Sequence, residues 1–237
     1  MGKIAMYLAT LLLLHALPVH ANEATDYLDL GLKATVISKK IAFFTKALDL
    51  DPKLAAAYEK RGMLYYYQRK YDKVIQDYQA YLDLAPEKTQ TYRMLGLAYL
   101  KSGDYQPAIA HFTRSIELEP QHPGGYAYRA EANRLLGKDE EAIRDSTAAI
   151  ELRGDTRARS DAYRTRAIVY RKNGLMDLAV ADTRSAWQAD PRWSYWARYW
   201  YKYASPEELR GAGLIGIIAL AFVLIFGLKL KSPKKDD

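Results

Sequence analysis

Few residues of this chain have the types and spacing needed for chemistry. His111 and His122 are the histidines that follow residue 21, and neither stands within a cluster of metal-ligating or reactive side chains. We expect both to be ordinary surface histidines. The chain contains no cysteine, which excludes disulfides, thiol nucleophiles and thiolate metal sites. We therefore predict no catalytic residues, no metal site and no cofactor.

Two charged motifs resemble reactive or recognition sites. Glu140 and Glu141 follow Asp139 and could pass for paired carboxylates. We interpret Asp139 as a helix cap and the glutamates as first-turn residues, where negative charge complements the helix dipole. The sequence Arg153-Gly154-Asp155 matches an adhesion tripeptide but falls in a predicted connection between helices, so it is a weak motif.

The two ends of the chain predict export and membrane anchoring. Lys3 precedes an apolar stretch that ends at Pro18-Val19-His20-Ala21, which is typical of a signal peptide (residues 1–21) cleaved after Ala21; an uncleaved anchor is the alternative. Residues 211–230 predict a transmembrane helix, followed by a basic tail (231–237). Because basic residues favour the cytoplasmic side, we expect residues 22–210 on the exported side.

This topology leaves two localisations open. We favour a bacterial inner membrane, with the exported part in the periplasm and the C-terminus in the cytoplasm. The tail Lys234-Lys235-Asp236-Asp237 also resembles a dilysine retrieval signal, which would place the protein in the endoplasmic-reticulum membrane of a eukaryote. Within the predicted span, Ala212, Gly216 and Ala219 form a small-residue face that would allow close helix packing.

A repeat of 34 residues organises the middle of the chain. Pro52, Pro86 and Pro120 share this spacing, and so do Tyr58, Tyr92 and Tyr126. A later unit around Tyr163 is offset by 37 residues, which we attribute to an insertion in the connection between Arg153 and Arg159. We predict small core positions at Gly62, Gly96, Ala130 and Ala167. Gly103-Asp104, Gly137-Lys138 and Asn173-Gly174 should turn the chain, and Asn133, which stands where a tyrosine is expected, should be a satisfied buried amide.

The pattern resembles the tetratricopeptide repeat. Tyr92-x-x-Leu95-Gly96-x-x-Tyr99, followed by Ala108, Phe112 and Pro120, carries the resemblance in the third unit. The resemblance implies an all-α helix-turn-helix solenoid over residues 22–191, with about five units of which the first is degenerate. It also implies a concave groove lined by the first helices, which would bind a protein partner.

Carried over residue by residue, the resemblance puts the following side chains in that groove: Glu59, Met63, Tyr66, Arg93, Leu97, Lys101, Tyr128, Glu131, Arg134, Arg164, Ile168, Arg171 and Lys172. The positions used to clamp a chaperone C-terminus in some family members do not match here. We predict that the basic end, at Arg164, Arg171 and Lys172, receives an acidic or carboxylate-bearing segment of the partner.

An aromatic segment (192–204) separates the repeats from the predicted span. Trp193, Trp196 and Trp200 would share one helical face, which could cap the solenoid or lie at the membrane interface. We predict an exported, membrane-anchored adapter that binds a protein partner, in assembly or maintenance of an envelope complex, and expect no nucleic acid and no small-molecule substrate. The alternative is a permanent accessory subunit of a membrane complex, held partly through its transmembrane helix.

Overall fold

The computed structural model describes residues 23–152 and 154–190. This part of the chain is helical, with no strand among the described residues. The described part of α1 covers residues 23–33. The following helices are α2 (Ile37–Leu50), α3 (Ala55–Tyr67), α4 (Tyr71–Leu84), α5 (Thr89–Ser102), α6 (Tyr105–Leu118), α7 (Pro123–Leu135), α8 (Asp139–Glu151), α9 (Thr156–Lys172) and α10 (Met176–Ala189).

Consecutive helices pair into five helix-turn-helix units that stack one on the next. Each unit packs against its neighbours in sequence, and the first helix α7 also contacts the first helices α5 and α9. This is the all-α solenoid that the repeat predicts. No described helix is long and apolar enough to cross a membrane. The predicted signal peptide (1–21), aromatic segment with Trp193, Trp196 and Trp200, and span with Ala212, Gly216 and Ala219 lie outside the described residues.

Small residues let the two helices of a unit approach closely, as predicted. Gly96 is buried, and a Cβ atom built on it would lie 2.6 Å from the Phe112 ring, so only a hydrogen fits. The first unit keeps the same contact between Gly31 and Phe44. The sequence pattern missed it because Gly31 stands three residues nearer to its aromatic partner than Gly96 does.

The turns inside the third, fourth and fifth units each have one left-handed residue, as the glycine pairs predict. Gly103, Gly137 and Gly174 have φ values of 98°, 77° and 77°. The equivalent residue of the second unit is Arg69, with φ 59°, although side chains with a Cβ disfavour this region. The second unit therefore holds local backbone strain that the others avoid.

The insertion in the fifth unit lengthens a helix and leaves the loop unchanged, which corrects the prediction from sequence. Four residues connect α8 to α9, as in the earlier connections between units. The helix α9 has 17 residues, whereas the other first helices α3, α5 and α7 have 13 or 14. The additional turn is started by Asp155, whose side chain accepts hydrogen bonds from the backbone N–H groups of Arg157 and Ala158.

A largely buried ion pair joins the two helices of a unit, and its arginine also bonds to the preceding unit. In the fourth unit, Arg129 donates through Nε and Nη2 to the two Oδ atoms of Asp145, at 2.8 and 2.7 Å, and through Nη1 to Oγ1 of Thr113 in the preceding unit, at 3.0 Å. We call this arrangement the repeat clamp. It recurs twice, in Arg61, Asp77 and Thr45 and in Arg166, Asp182 and Thr147.

The predicted role of Asn133 is confirmed within this clamp. Its side chain is 5% exposed, and its Nδ2 donates to Oδ2 of Asp145 at 3.2 Å. The amide thus supplies Asp145 with a third hydrogen bond, from the position where the second, third and fifth units have a tyrosine.

The third unit replaces the clamp with apolar and aromatic packing. Leu95 occupies the arginine position and His111 the aspartate position. The imidazole of His111 stacks on Tyr99, with ring centroids 5.3 Å apart, and on Tyr92 at 6.2 Å. Burial lowers the pKa of His111. His111 is therefore partly buried between two tyrosine rings, rather than the ordinary surface histidine expected from the sequence.

Candidate partner-binding groove

The first helices present one row of side chains each to the same surface, because residues three or four apart lie on one helical face. Met63, Lys101 and Lys172 are exposed there. The remaining predicted groove residues apart from Arg93 are partly buried: Glu59, Tyr66, Leu97, Tyr128, Glu131, Arg134, Arg164, Ile168 and Arg171.

Two tyrosines and an arginine converge at the centre of this surface. Burial raises the pKa of Tyr66 on α3 and of Tyr128 on α7. The negative charges of Asp161 and Asp155 on and before α9 raise the pKa of Tyr128 further, and the positive charge of Arg157 opposes the rise at both hydroxyls. Tyr66 also acts on Tyr128 electrostatically. Side chains from the second, fourth and fifth units are therefore close enough to act on one another electrostatically, with two carboxylates among them.

Ring contacts hold both tyrosines in place. The Tyr128 ring packs on Phe112 with centroids 5.6 Å apart, and Tyr66 meets Tyr71 edge-on at 6.0 Å. Arg157 is exposed, and its guanidinium has no hydrogen-bond partner within the described part of the chain. Reasoning from sequence missed Arg157, because its position depends on the added turn of α9. The 37-residue offset of the fifth unit was the available signal.

Several charged groove residues are already paired within the chain. Arg134 donates to both carboxylate oxygens of Glu131, at 2.8 and 2.7 Å, and Glu131 also accepts from the Thr165 hydroxyl at 3.2 Å. Glu59 lies 3.3 Å from Lys60. These internal pairs reduce the charge that the groove offers to a ligand.

The basic end of the groove is less basic than predicted. Arg164 lies 2.6 Å from Asp161, and Lys172 lies 2.8 Å from Asp139. Asp139 is the first residue of α8 rather than its cap. Its carboxylate pairs with Lys172 of the next unit. Two of the three basic residues predicted to receive an acidic segment are therefore already paired within the chain.

Arg93 is a second correction. Its side chain is buried, since the residue is 9% exposed. Nη1 donates to Glu119 and Nη2 to Gln90, each at 2.7 Å. Because Glu119 lies in the connection that follows α6, Arg93 fastens that connection and is not available to a ligand.

The other candidate chemical groups have local structural roles. His122 caps α7, with Nδ1 accepting from the backbone N–H of Gly124 at 3.0 Å, so it is not simply a surface histidine. Glu140 and Glu141 lie in the first turn of α8, each 3.7 Å from Arg144. Within the described residues no group of three or more histidine, aspartate or glutamate side chains could hold a metal ion.

Comparison with known proteins identifies the repeat. Residues 89–122 match the family model of the tetratricopeptide repeat. They comprise α5, α6 and the connection to α7, which is one complete unit. The chain has the fold of a tetratricopeptide-repeat protein. A search of curated protein sequences found no significant match.

Solved tetratricopeptide-repeat structures superpose on most of the chain. The MamA protein is 22% identical, with a TM-score of 0.63 over 77% of this chain and 96% of its own. YrrB, described as a TPR protein with an unusual peptide-binding site, is 21% identical, with a TM-score of 0.57 over 73% and 86%. A thermophilic TPR protein of Thermus thermophilus is 17% identical, with a TM-score of 0.54 over 71% and 92%. At these identities the likeness shows a shared fold.

Proposed function

We propose that the protein is a scaffold whose concave groove holds a segment of a partner protein. The observation that carries the proposal is the convergence of Tyr66, Tyr128 and Arg157 from three units. Partly buried aromatic rings offer a large rigid contact area at a small entropic cost, and the exposed arginine can hold a carboxylate through two hydrogen bonds. The peptide-binding site named for YrrB supports such a use of the fold.

In this proposal an acidic residue of the partner binds at Arg157, and not at the basic end of the groove predicted from the sequence. The segment would place an apolar or aromatic side chain against the tyrosines, with Met63 alongside, and a carboxylate at Arg157. Arg164 and Lys172, which pair internally, would instead shape the wall of the groove. An arginine-carboxylate hydrogen bond contributes about 1.5–3 kcal/mol, so this contact would dominate the polar part of binding.

Photo-crosslinking tests the groove. A photoreactive phenylalanine analogue at Tyr66 or Tyr128 should capture a discrete partner in native membranes, and the same analogue at Tyr67, which is 69% exposed, should not. Arg157→Glu should weaken capture by about 10-fold or more. The matched control is Arg184→Glu, an exposed position on α10. Equal loss in both variants, or equal crosslinking at Tyr66 and Tyr67, would reject the groove.

We further propose that the scaffold is exported and anchored in a membrane, as residues 1–21 and 211–230 predict. Reporter fusions after Pro120 should be active only in the exported compartment, and fusions after Asp237 only in the cytoplasm. The reverse pattern would contradict the proposed topology.

A permanent accessory subunit is the second candidate. The small-residue face of Ala212, Gly216 and Ala219 favours it, because such faces allow close packing between membrane helices. A stoichiometric, salt-resistant set of proteins recovered in detergent would support the subunit. A substoichiometric set would support the adapter.

A further inference from the structure

The solenoid has two chemically different edges. The turns that join the first and second helices of all units lie at one edge, because the helices alternate in direction; we call this the turn edge. The connections between units lie at the opposite edge, the loop edge. The later turns overlap the predicted groove at Lys101, Arg134, Arg171 and Lys172, whereas no basic residue of the first two turns belongs to the groove.

Charge is divided between the two edges. Eleven basic and six acidic residues lie in the five loops of the turn edge or in the helical turns next to them (residues 30–40, 64–74, 99–108, 132–142 and 169–179). The corresponding stretches at the loop edge (47–58, 81–92, 115–126 and 148–159) carry five basic and eight acidic residues. The turn edge is therefore positive and the loop edge negative.

The first two turns concentrate the positive charge. Their single acidic residue is Asp72. Their six basic residues are Lys33, Lys39, Lys40, Arg69, Lys70 and Lys73, all exposed except the partly buried Lys40.

Large apolar side chains are exposed among these charges. Four of them, at the α1–α2 turn, are 44–50% exposed, and the fifth, at the end of α3, is 69% exposed. They are Leu30, Leu32, Val36, Ile37 and Tyr67. Such residues placed between lysines are typical of surfaces that lie in the interface of a membrane, where apolar groups enter the headgroup region and cations contact anionic lipids.

We propose that this turn-edge patch docks on a lipid bilayer that contains anionic headgroups. Charge complementarity favours an anionic bilayer over an uncharged one, because the first two turns carry six basic residues and one acidic residue. Juxtamembrane basic residues each strengthen membrane association about fivefold. The loop edge, with its excess of carboxylates, faces away from the bilayer and towards solvent.

The length of the chain is compatible with this orientation. The helix α10 has 14 residues and is about 21 Å long, and the chain leaves it at the loop edge. Residues 191–210 can reach up to about 66 Å when extended. The predicted span that begins at Gly211 can therefore enter the bilayer on which the turn edge rests.

Site-directed labelling of the full chain tests the proposal, and the absence of native cysteine makes single labels unambiguous. Val36→Cys at the turn edge and Lys53→Cys at the loop edge would each carry a nitroxide. In nanodiscs that contain phosphatidylglycerol, the label at position 36 should become accessible to lipid-dissolved oxygen and shielded from an aqueous nickel complex. The label at position 53 should remain exposed to water. In pure phosphatidylcholine or at high salt, both labels should be exposed to water.

Charge reversal gives the matched variants. Lys39→Glu with Lys70→Glu should lower the ratio of docked to undocked protein by about 25-fold or more, because losing each basic residue costs about fivefold and each added carboxylate is repelled. Lys53→Glu with Lys88→Glu at the loop edge should leave the ratio unchanged. If the turn-edge variant fails to fold, the lipid and salt dependence of the wild-type label decides the question.

Two outcomes would overturn the proposal. Equal water exposure of both labels in anionic and zwitterionic nanodiscs would show that the patch does not dock on lipid. Protection of position 36 in detergent that increases with protein concentration would assign the patch to a second copy of the chain.

Discussion

The repeat clamp of the fourth unit provides a quantitative test of what holds the solenoid together. Asp145 accepts two hydrogen bonds from Arg129 and one from Asn133, and its side chain is 11% exposed. Asp145→His removes the negative charge and leaves Arg129, with a side chain 22% exposed, without its counterion. Breaking one partner of a buried pair costs about 3–5 kcal/mol. Because Arg129 can reach water, we expect the lower end, about 3 kcal/mol, or a fall in Tm of about 6–12 °C.

The double variant Arg129→Leu with Asp145→His separates the pair from its parts. It places the third-unit residues Leu95 and His111 at these two positions, although the fourth unit has Asn133 in place of Tyr99, on which His111 stacks. Because removing both members of an ion pair leaves no unpaired charge, we expect the double variant to lose clearly less stability than the two single variants together. Thermal and urea unfolding of the wild type, of Arg129→Leu, of Asp145→His and of the double variant together form a double-mutant cycle. Additive losses, with the double variant as unstable as the sum of the singles, would refute the reasoning.

Three further predictions concern single positions. Gly96→Ala should cost about 1–3 kcal/mol because its Cβ would lie 2.6 Å from an aromatic ring, whereas Gly62→Ala, with a nearest contact of 3.2 Å, should cost less in the same thermal melts; equal losses would contradict this. Arg69→Gly should stabilise the protein by about 1 kcal/mol by relieving its positive φ, while Gly103→Ala should destabilise it in urea titrations. Burial lowers the pKa of His111, so stability should fall as pH drops below about 6.5, and His111→Phe should flatten the dependence of Tm on pH between about 7.5 and 5.5.

The repeat architecture could be predicted from sequence because it depends on a period. A 34-residue spacing places Gly62, Gly96 and Ala130 at equivalent positions, and close helix packing demands small residues there. Gly103 and Gly137 could be assigned for the same reason, since left-handed turns favour glycine. In each case one local geometry requires one residue type, so the residue type alone predicts the geometry.

The clamp could not be recognised so directly, because its members come from three helices. Arg129 and Asp145 stand 16 residues apart, and Thr113 belongs to the preceding unit. Charged residues on repeat helices are usually interpreted as solvent-exposed surface residues. A signal was present nevertheless, since Arg61 and Arg166 recur at the spacing of the units. Arg157 was missed for a related reason, because a longer α9 moves it to the groove.

The two proposed surfaces meet at consecutive residues. Tyr66 belongs to the groove and Tyr67 to the turn-edge patch, and both lie in the last turn of α3. A partner segment held at Tyr66 would therefore sit within about one helical turn of the bilayer on which Tyr67 rests. The surfaces are nevertheless separable by charge: Arg157→Glu should weaken partner capture with docking intact, and Lys39→Glu with Lys70→Glu should weaken docking with capture intact. Loss of both activities in either variant would show that groove and patch act as one site, and the scaffold would then capture its partner only when docked on the membrane.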